Sequence, residues 1–258
     1  MYINLFDSHV HSDNSPEGRD LVTALCSAAV DKGISGICIT DACDMEEFEE
    51  QKYGKRLMYS CFAAHKAQDI FSQQLIVTNG VEMCQPLADP DRAVQVIGEN
   101  RFDFVLGSLH KTRKYGDMMM LNYAHPALDL QDVFRSYYEE LLEVVQWGHF
   151  DSLAHLGYPL RYLKPYNRTV DLAQIDDVFA EIMKSLVAQG KALELNTGGL
   201  RMEIEAFTPS NKYLQMYKDY GGEMITIGSD AECCSDIGCD IQAGLELLNQ
   251  QPRPGLEA

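Results

Sequence analysis

Positive charge is the scarcest thing in this chain of 258 residues. Lys and Arg number 21 against 39 Asp and Glu, a formal net charge of −18. Such a surface repels phosphate backbones and acidic lipid headgroups, so neither nucleic acid nor a membrane is expected as the main partner. No apolar run approaches the roughly 20 residues of a membrane span. The opening MYINLFDSH lacks the charged stretch and long apolar run of a secretory leader. The eight cysteines form no Cys-x-x-Cys pair and sit mostly inside apolar runs, which predicts reduced thiols in a cytoplasmic protein. Without a leader, the NRT sequon at Asn167 is read as chance. No Gly-x-Gly-x-x-Gly follows the first apolar run, which weakens a dinucleotide-binding reading.

What is present is alternation. Short apolar runs read as strands at Ile3–His9, Gly36–Asp41, Leu75–Glu82, Phe104–His110, Ser152–His155, Ala192–Asn196 and Met224–Asp230. Helical patterns lie between them, near 20–32, 46–73, 89–99, 130–147, 175–189, 211–220 and 240–249. Seven βα units with no linker, repeat or low-complexity stretch predict an α/β fold with parallel strands, in a single domain spanning 1–258. A closed or nearly closed barrel and an open doubly wound sheet both suit this length.

The strand ends choose between them. Nearly every expected strand finishes on a possible metal ligand: His9, Asp41, Glu82, His110, His155, Asn196 and Asp230. A barrel gathers its strand C-termini at one mouth, whereas an open sheet keeps its outer strands too far apart to share a site. The stretch DSHVHSD adds a second imidazole: side chains alternate along a strand, so His9 and His11 face the same way.

Imidazoles mixed with carboxylates suit zinc, manganese or iron, and a carboxylate that can be shared suits two ions side by side. His9, His11, Glu82 and Asp230 are assigned to one ion, with Glu82 bridging to a second held by His110 and His155. Two such ions hold a hydroxide nucleophile and bind the oxygens of a phosphoryl group. The expected chemistry is phosphate ester hydrolysis.

The stretches DSHVHSDNSPEG, GICITDACD, VTNGVEMC, FDFVLGSLHKT, DSLAHLGYPLRY, LELNTGGLR and MITIGSDAE, running in order from residue 3 to about 240, resemble the PHP (polymerase and histidinol phosphatase) superfamily. FDFVLGSLH, LELNTGGLR and ITIGSDA look more like its monofunctional histidinol-phosphatase branch than its polymerase or exonuclease branches. The resemblance implies a distorted seven-stranded, TIM-like barrel with up to three metal ions at its mouth, acting on a small phosphorylated metabolite of histidine biosynthesis. It also implies a third metal site at positions 17, 42 and 232. Here those positions hold Glu17, Ala42 and Glu232 where the family usually has an acid or histidine, a histidine and a histidine. Ala42 can coordinate nothing. A natural third site shifted toward manganese or magnesium and an alanine introduced by mutation both fit this departure.

Other residues are weighed against plainer roles. Arg161 and Arg201 follow the fifth and sixth strands, where a guanidinium fork suits phosphate, although surface arginines are common. Asp41 is a candidate to orient a ligand histidine, with a turn acid as the alternative. Asp13 is a candidate to protonate the leaving alkoxide, with an idle loop acid as the alternative. Lys111 and Arg113 extend the phosphate cradle or simply solvate a loop. His125 lies in a long loop that could cover substrate, and Tyr158, Tyr162 and Tyr166 could stack on a flat one. Rival functions are a phosphoesterase acting on nucleotides or another small ester, a catalytically impaired form that binds metal or phosphate, and an amidohydrolase. The last usually needs a lysine at a strand end, and no expected strand ends in one.

Overall fold

The computed structural model describes residues 4–202 and 204–250. Ile3, placed in the first expected strand, and the end of the expected 1–258 domain lie outside the described residues. The strands are β1 (Phe6–Val10), β2 (Gly36–Ile39), β3 (Ala42–Asp44), β4 (Ile76–Cys84), β5 (Phe104–Ser108), β6 (Lys111–Thr112), β7 (Gly116–Asp117), β8 (Ser152–Leu153), β9 (Ala192–Asn196) and β10 (Ile225–Gly228). The helices are α1 (Val22–Asp31), α2 (Tyr53–Phe71), α3 (Pro90–Asn100), α4 (Leu130–Trp147), α5 (Asp176–Ala188), α6 (Gly198–Arg201), α7 (Asn211–Asp219) and α8 (Ile241–Gln250).

Seven strands run parallel in the order β1-β2-β4-β5-β8-β9-β10, and β3 adds to β4. Helices cover the outside, so strands such as GICI in β2 are buried at every position and read as continuous apolar runs. The ring closes between β10 and β1 by a parallel bridge, Val10 to Ala231. His11 N–H donates to Ala231 O at 2.8 Å, and Ala231 N–H donates to His9 O at 3.3 Å. Ser8 Oγ adds a bond to Ile227 O at 2.8 Å. The nearly closed barrel expected from the sequence is therefore the fold.

Helix α4 shows how local sequence builds the jacket. Asp129 caps its start, Oδ1 accepting from the N–H groups of Gln131 at 3.0 Å and Asp132 at 3.2 Å. Leu130, Val133, Phe134, Tyr137, Leu141, Val144 and Val145 recur at helical spacing and are buried. Gly148, at φ +69°, ends it, a left-handed conformation that glycine adopts without strain.

The strands expected to end at His110, His155 and Asp230 each end two residues earlier, β4 runs on to Cys84, and two further boundaries differ for a local reason. The strand expected over 36–41 breaks after Ile39 and resumes as β3, because Asp41 turns its carboxylate to Ser12 and Ser60. The helix expected from 46 begins at Tyr53, because Lys52 sits at φ +57°, outside helical space, and 45–52 folds as bends and turns.

Candidate metal centre

The barrel mouth is a 290 Å³ cavity. Its donors stand at strand ends, but not uniformly on the last residue: His9 is the penultimate residue of β1, Glu82 lies inside β4, and His110, His155 and Asp230 lie two residues beyond β5, β8 and β10. Two of them sit at bends, His155 at φ +22° and Asp230 at φ +55°. Such left-handed backbone costs on the order of 1–3 kcal/mol for a non-glycine residue and persists where surrounding structure enforces it. At Asp230 the enforcement comes from Asp7, whose Oδ1 accepts from Ser229 N–H at 2.8 Å and whose Oδ2 accepts from Ser229 Oγ at 2.5 Å and Gly238 N–H at 2.9 Å. Arg201 holds the same turn from outside by donating to the carbonyls of Ser229 and Asp230 at 2.7 and 2.9 Å.

The donors converge in groups. His9, His11 and Asp230 form one, and Glu82, His110 and His155 another, each with its ligand atoms within 4.8 Å of one another. In the first group Nε2 of His9 and Nε2 of His11 are 3.0 Å apart, and Asp230 Oδ1 is 3.6 and 3.3 Å from them. In the second, Nε2 of His110 and Nε2 of His155 are 3.2 Å apart, and Glu82 Oε1 is 3.3 and 2.8 Å from them. Ligands sharing a tetrahedral zinc at 2.0–2.1 Å stand about 3.3 Å from each other. Both triangles have that size. Glu82 also turns Oε2 toward His9 and His11, at 3.9 and 3.8 Å, so it stands between the groups.

Electrostatics point the same way. Besides Glu82 and Asp230, the mouth is lined by Glu17, Asp44, Glu47, Asp117 and Glu232, and its only lysine and arginine among the described residues are Lys111 and Arg161. With its imidazoles neutral, as ligation requires, seven carboxylates against two cations would repel a phosphate dianion. Two divalent ions would bring the mouth within one charge of neutral. Burial opposes a charged His9, yet Glu194 and Asp230 outweigh it and hold its pKa well above the usual range. Burial likewise opposes a charged His11, but Glu17 and then Asp230 push it up to about 9. Burial also resists ionisation of Glu82, and His110 leads the groups that nonetheless hold it well below the ordinary carboxylate range. His155 is pushed down by its burial. Two protonated imidazoles would aim N–H at N–H across 3.0 Å; lone pairs aimed at a shared cation remove that conflict.

Glu194 is the buried residue that sequence reasoning missed. Its Oε1 lies 2.8 Å from His9 Nδ1, and its Oε2 accepts from His155 N–H at 2.6 Å and Asn196 Nδ2 at 3.1 Å. It fixes the proton of His9 on Nδ1 and frees Nε2 for the mouth, the usual part of a carboxylate behind a metal-ligating histidine. A Cβ on Gly228 would come within 2.4 Å of both Glu194 Oε1 and His9 Cβ, so this pairing requires glycine there.

The remaining candidates separate. Arg161 lines the mouth, with Nη2 3.4 Å from Asp230 Oδ2 and its guanidinium 4.6 Å from the centroid of the Tyr158 ring. Arg201 does not face the mouth: its guanidinium is spent on the two carbonyls and on Asp236, so the expected phosphate contact gives way to support of the Asp230 turn. Asp41 forms no hydrogen bond with a mouth histidine among the described residues; it accepts from Ser12 N–H at 2.5 Å, Ser12 Oγ at 2.7 Å and Ser60 Oγ at 2.5 Å, pinning the chain after His11. Asp13 is exposed and outside the mouth lining, because the turn that bonds its N–H to Asp20 O aims it outward. Glu17 and Glu232 both line the mouth; Glu17 Oε1 is 3.1 Å from His11 Nδ1, and Glu232 Oε2 is 3.5 Å from Arg19. Ala42 lines it too, opposite Glu82 in register. Asn196 bonds Glu194 and Gly198, a scaffold role. Lys111 is clasped by Asp44, Glu46 and Glu47, and Arg113 by Glu140 and Glu143 on α4. His125 and Tyr166 lie outside the lining, while Tyr158 and Tyr162 belong to it.

Known proteins are similar to this chain in sequence and in fold. A probable histidinol-phosphatase of Thermotoga maritima is 29% identical over 252 residues, 95% of this chain and 92% of that protein. A histidinol-phosphatase of Lactococcus lactis subsp. lactis is 27% identical over 249 residues, 95% and 90% of the two chains. The crystal structure of the Lactococcus lactis histidinol phosphate phosphatase, complexed with zinc, L-histidinol and phosphate, superposes with a TM-score of 0.80 at 25% identity, covering 96% of this chain and 93% of that one. Residues 7–198, from the acid that anchors the Asp230 turn to the glycine after β9, match the PHP domain, and the chain belongs to the PHP domain family.

Proposed function

We propose that this protein hydrolyses L-histidinol phosphate to L-histidinol and inorganic phosphate, as a metal-dependent phosphomonoesterase of a reducing cytoplasm. One observation carries the reading: two donor triangles of zinc-ligand size, joined by Glu82, in a mouth too acidic to take a phosphate without cations. His9, His11 and Asp230 would hold one divalent ion, His110 and His155 another, and Glu82 would serve both. When bound, such ions neutralise phosphoryl oxygens and lower the pKa of water toward neutrality. The chain's own groups do the rest. Glu194 keeps the His9 proton on Nδ1. Arg161 stands at the wall of the mouth with its buried Nε–H unpartnered, a donor that a phosphate oxygen would satisfy. Tyr158 and Tyr162, bonded to each other at 2.8 Å, offer ring edges to a flat substrate, and Asp117 offers a carboxylate to its amine. Eight unpaired thiols suit a reducing compartment.

The relatives named for histidinol phosphate supply the substrate, and their modest identity makes it the point to test. Phosphate release from histidinol phosphate, glycerol phosphate, p-nitrophenyl phosphate and AMP, compared as kcat/KM with zinc or manganese present, decides it. Histidinol phosphate is expected to lead by at least about tenfold. Preference for AMP would replace it with the nucleotide reading, and metal-loaded protein inert on all four would favour the impaired-binder reading.

A further inference from the structure

We infer that this chain holds two ions rather than three, and that Glu17 is a positioning residue behind His11 rather than a metal ligand. The inference rests on the metal-dependent reading above. A third donor group does exist, His11, Glu17 and Glu82. Two of its three members are already committed. Glu82 gives Oε1 to the pair His110 and His155 and turns Oε2 to the pair His9 and His11. His11 has its Nε2 in the first triangle, 3.0 Å from His9 Nε2 and 3.3 Å from Asp230 Oδ1. Only Glu17 is new to the third group: Glu232, the other acid at the implied third site, is not among its converging donors and has Oε2 3.5 Å from Arg19. The strand position that could have completed it is Ala42, a methyl facing the mouth in register with Glu82. The next residue on that face, Asp44, is held by Lys111 at 3.1 Å.

Glu17 has a different partner. Its Oε1 lies 3.1 Å from Nδ1 of His11 and accepts from Ser15 Oγ at 2.7 Å. Ser15 Oγ in turn accepts from Ala42 N–H at 2.9 Å, so the carboxylate is held in place from β3. When Nε2 of an imidazole gives its lone pair to an ion, the ring proton sits on Nδ1 and needs an acceptor. Glu194 supplies it for His9 and Glu17 for His11. Both histidines of the H-x-H pair thus have the same construction, one acceptor buried inside the barrel and one at its rim.

The test is zinc stoichiometry by elemental analysis after equilibration with zinc and gel filtration, with affinities from competition against a chromophoric chelator. It compares the intact protein with Glu17→Gln, which keeps an acceptor for Nδ1, and Glu17→Ala, which removes it. Two ions per chain are expected in all three proteins. Affinity in Glu17→Ala is expected to fall roughly 10–100-fold, with Glu17→Gln recovering most of the loss. Three ions in the intact protein would overturn the inference and leave the proposed function standing. So would loss of a whole equivalent in Glu17→Gln, since Glu17 would then be a ligand. Unchanged affinity in Glu17→Ala would overturn the positioning role. An intact protein that takes up no zinc would overturn the metal-dependent reading itself.

Discussion

The two ends of the barrel hold cavities of comparable size and opposite chemistry. The mouth encloses 290 Å³ and the floor 390 Å³. The floor is lined largely by apolar side chains, among them Phe6, Phe104, Ile225, Ile227 and Leu245, and its polar groups are used by the barrel itself. Ser8 bonds Ile227 O, Thr226 bonds Ser152, and Asp103 accepts from Asn79 N–H. At the mouth, imidazole nitrogens face one another and seven carboxylates face two cations. The larger cavity is satisfied and the smaller one is not. Parallel strands bring their C-termini to one end only, and unsatisfied polar groups rather than volume mark where a ligand belongs.

The largest effect that would sharpen this contrast is expected from Glu82→Gln. The change keeps shape but halves the ability of this side chain to serve both triangles, and it leaves four imidazoles, three of them buried, without their shared charge. Losing several kcal/mol of charge stabilisation corresponds to a fall in kcat/KM of about 10³-fold or more. Steady-state phosphate release at saturating zinc checks it, and a fall below about tenfold would remove Glu82 from the centre.

Next in size is Glu194→Gln. The amide can give its oxygen to His9 Nδ1 only by turning its NH2 onto the donors His155 N–H and Asn196 Nδ2, a clash that Glu17→Gln does not meet, so zinc affinity is expected to fall about 10–100-fold. At saturating zinc kcat should recover, a split that chelator competition and kinetics would read separately. Unchanged affinity would mean that Glu194 only fills the barrel.

Glu194 also shows where reading the sequence stops. The strand-end residues were legible because His, Glu and Asp at the close of apolar runs have few structural reasons to be there. Counting such runs left an open sheet as the alternative, and the ligand types at their ends selected the barrel. Glu194 in ALELN carries the same chemistry but sits mid-strand, where one acid among apolar neighbours resembles an outward-facing residue. The available signal was that parallel barrel strands are buried on both faces, so any acid within one is buried. Asp7, just before the H-x-H pair, hid for the same reason. Arg201 failed differently: a loop position does not say which way a long side chain turns, and this one turns back onto the carbonyls of Ser229 and Asp230. Asp13 and Asp41 differ by a backbone turn that no spacing reveals.

A smaller effect follows from pH. His11 titrates near 9 in the folded, metal-free chain against an ordinary value of about 6.5, because Glu17 and Asp230 outweigh its burial. A raised folded pKa contributes stability that is complete below about 6.5 and is lost as pH climbs through about 9. The metal-free protein should therefore lose thermal stability across that window. Zinc competes with the same proton and binds more tightly as pH rises. The gap in Tm between zinc-loaded and chelator-treated protein is expected to widen from pH 6 to 9 in differential scanning calorimetry. Parallel curves would mean that the mouth is not where protons and metal compete.

The smallest effect on activity is expected at the floor, and it is the one that could break the comparison. Gly36 opens β2 at that end, and a Cβ there would lie 2.5 and 2.6 Å from ring carbons of Phe6 and 3.1 Å from Ile76 Cβ. Gly36→Ala therefore demands movement. Phe6 is 37% exposed and can swing toward solvent, which keeps the cost near the low end of overpacking, about 1 kcal/mol. For a chain of this length that lowers Tm by about 2–4 °C. With the donors at the opposite strand ends, kcat/KM per folded molecule should stay within about twofold. A floor substitution that lowered kcat severalfold while zinc binding held would show that strain travels along β1 and β2 to His9, and that the two ends are one device rather than two.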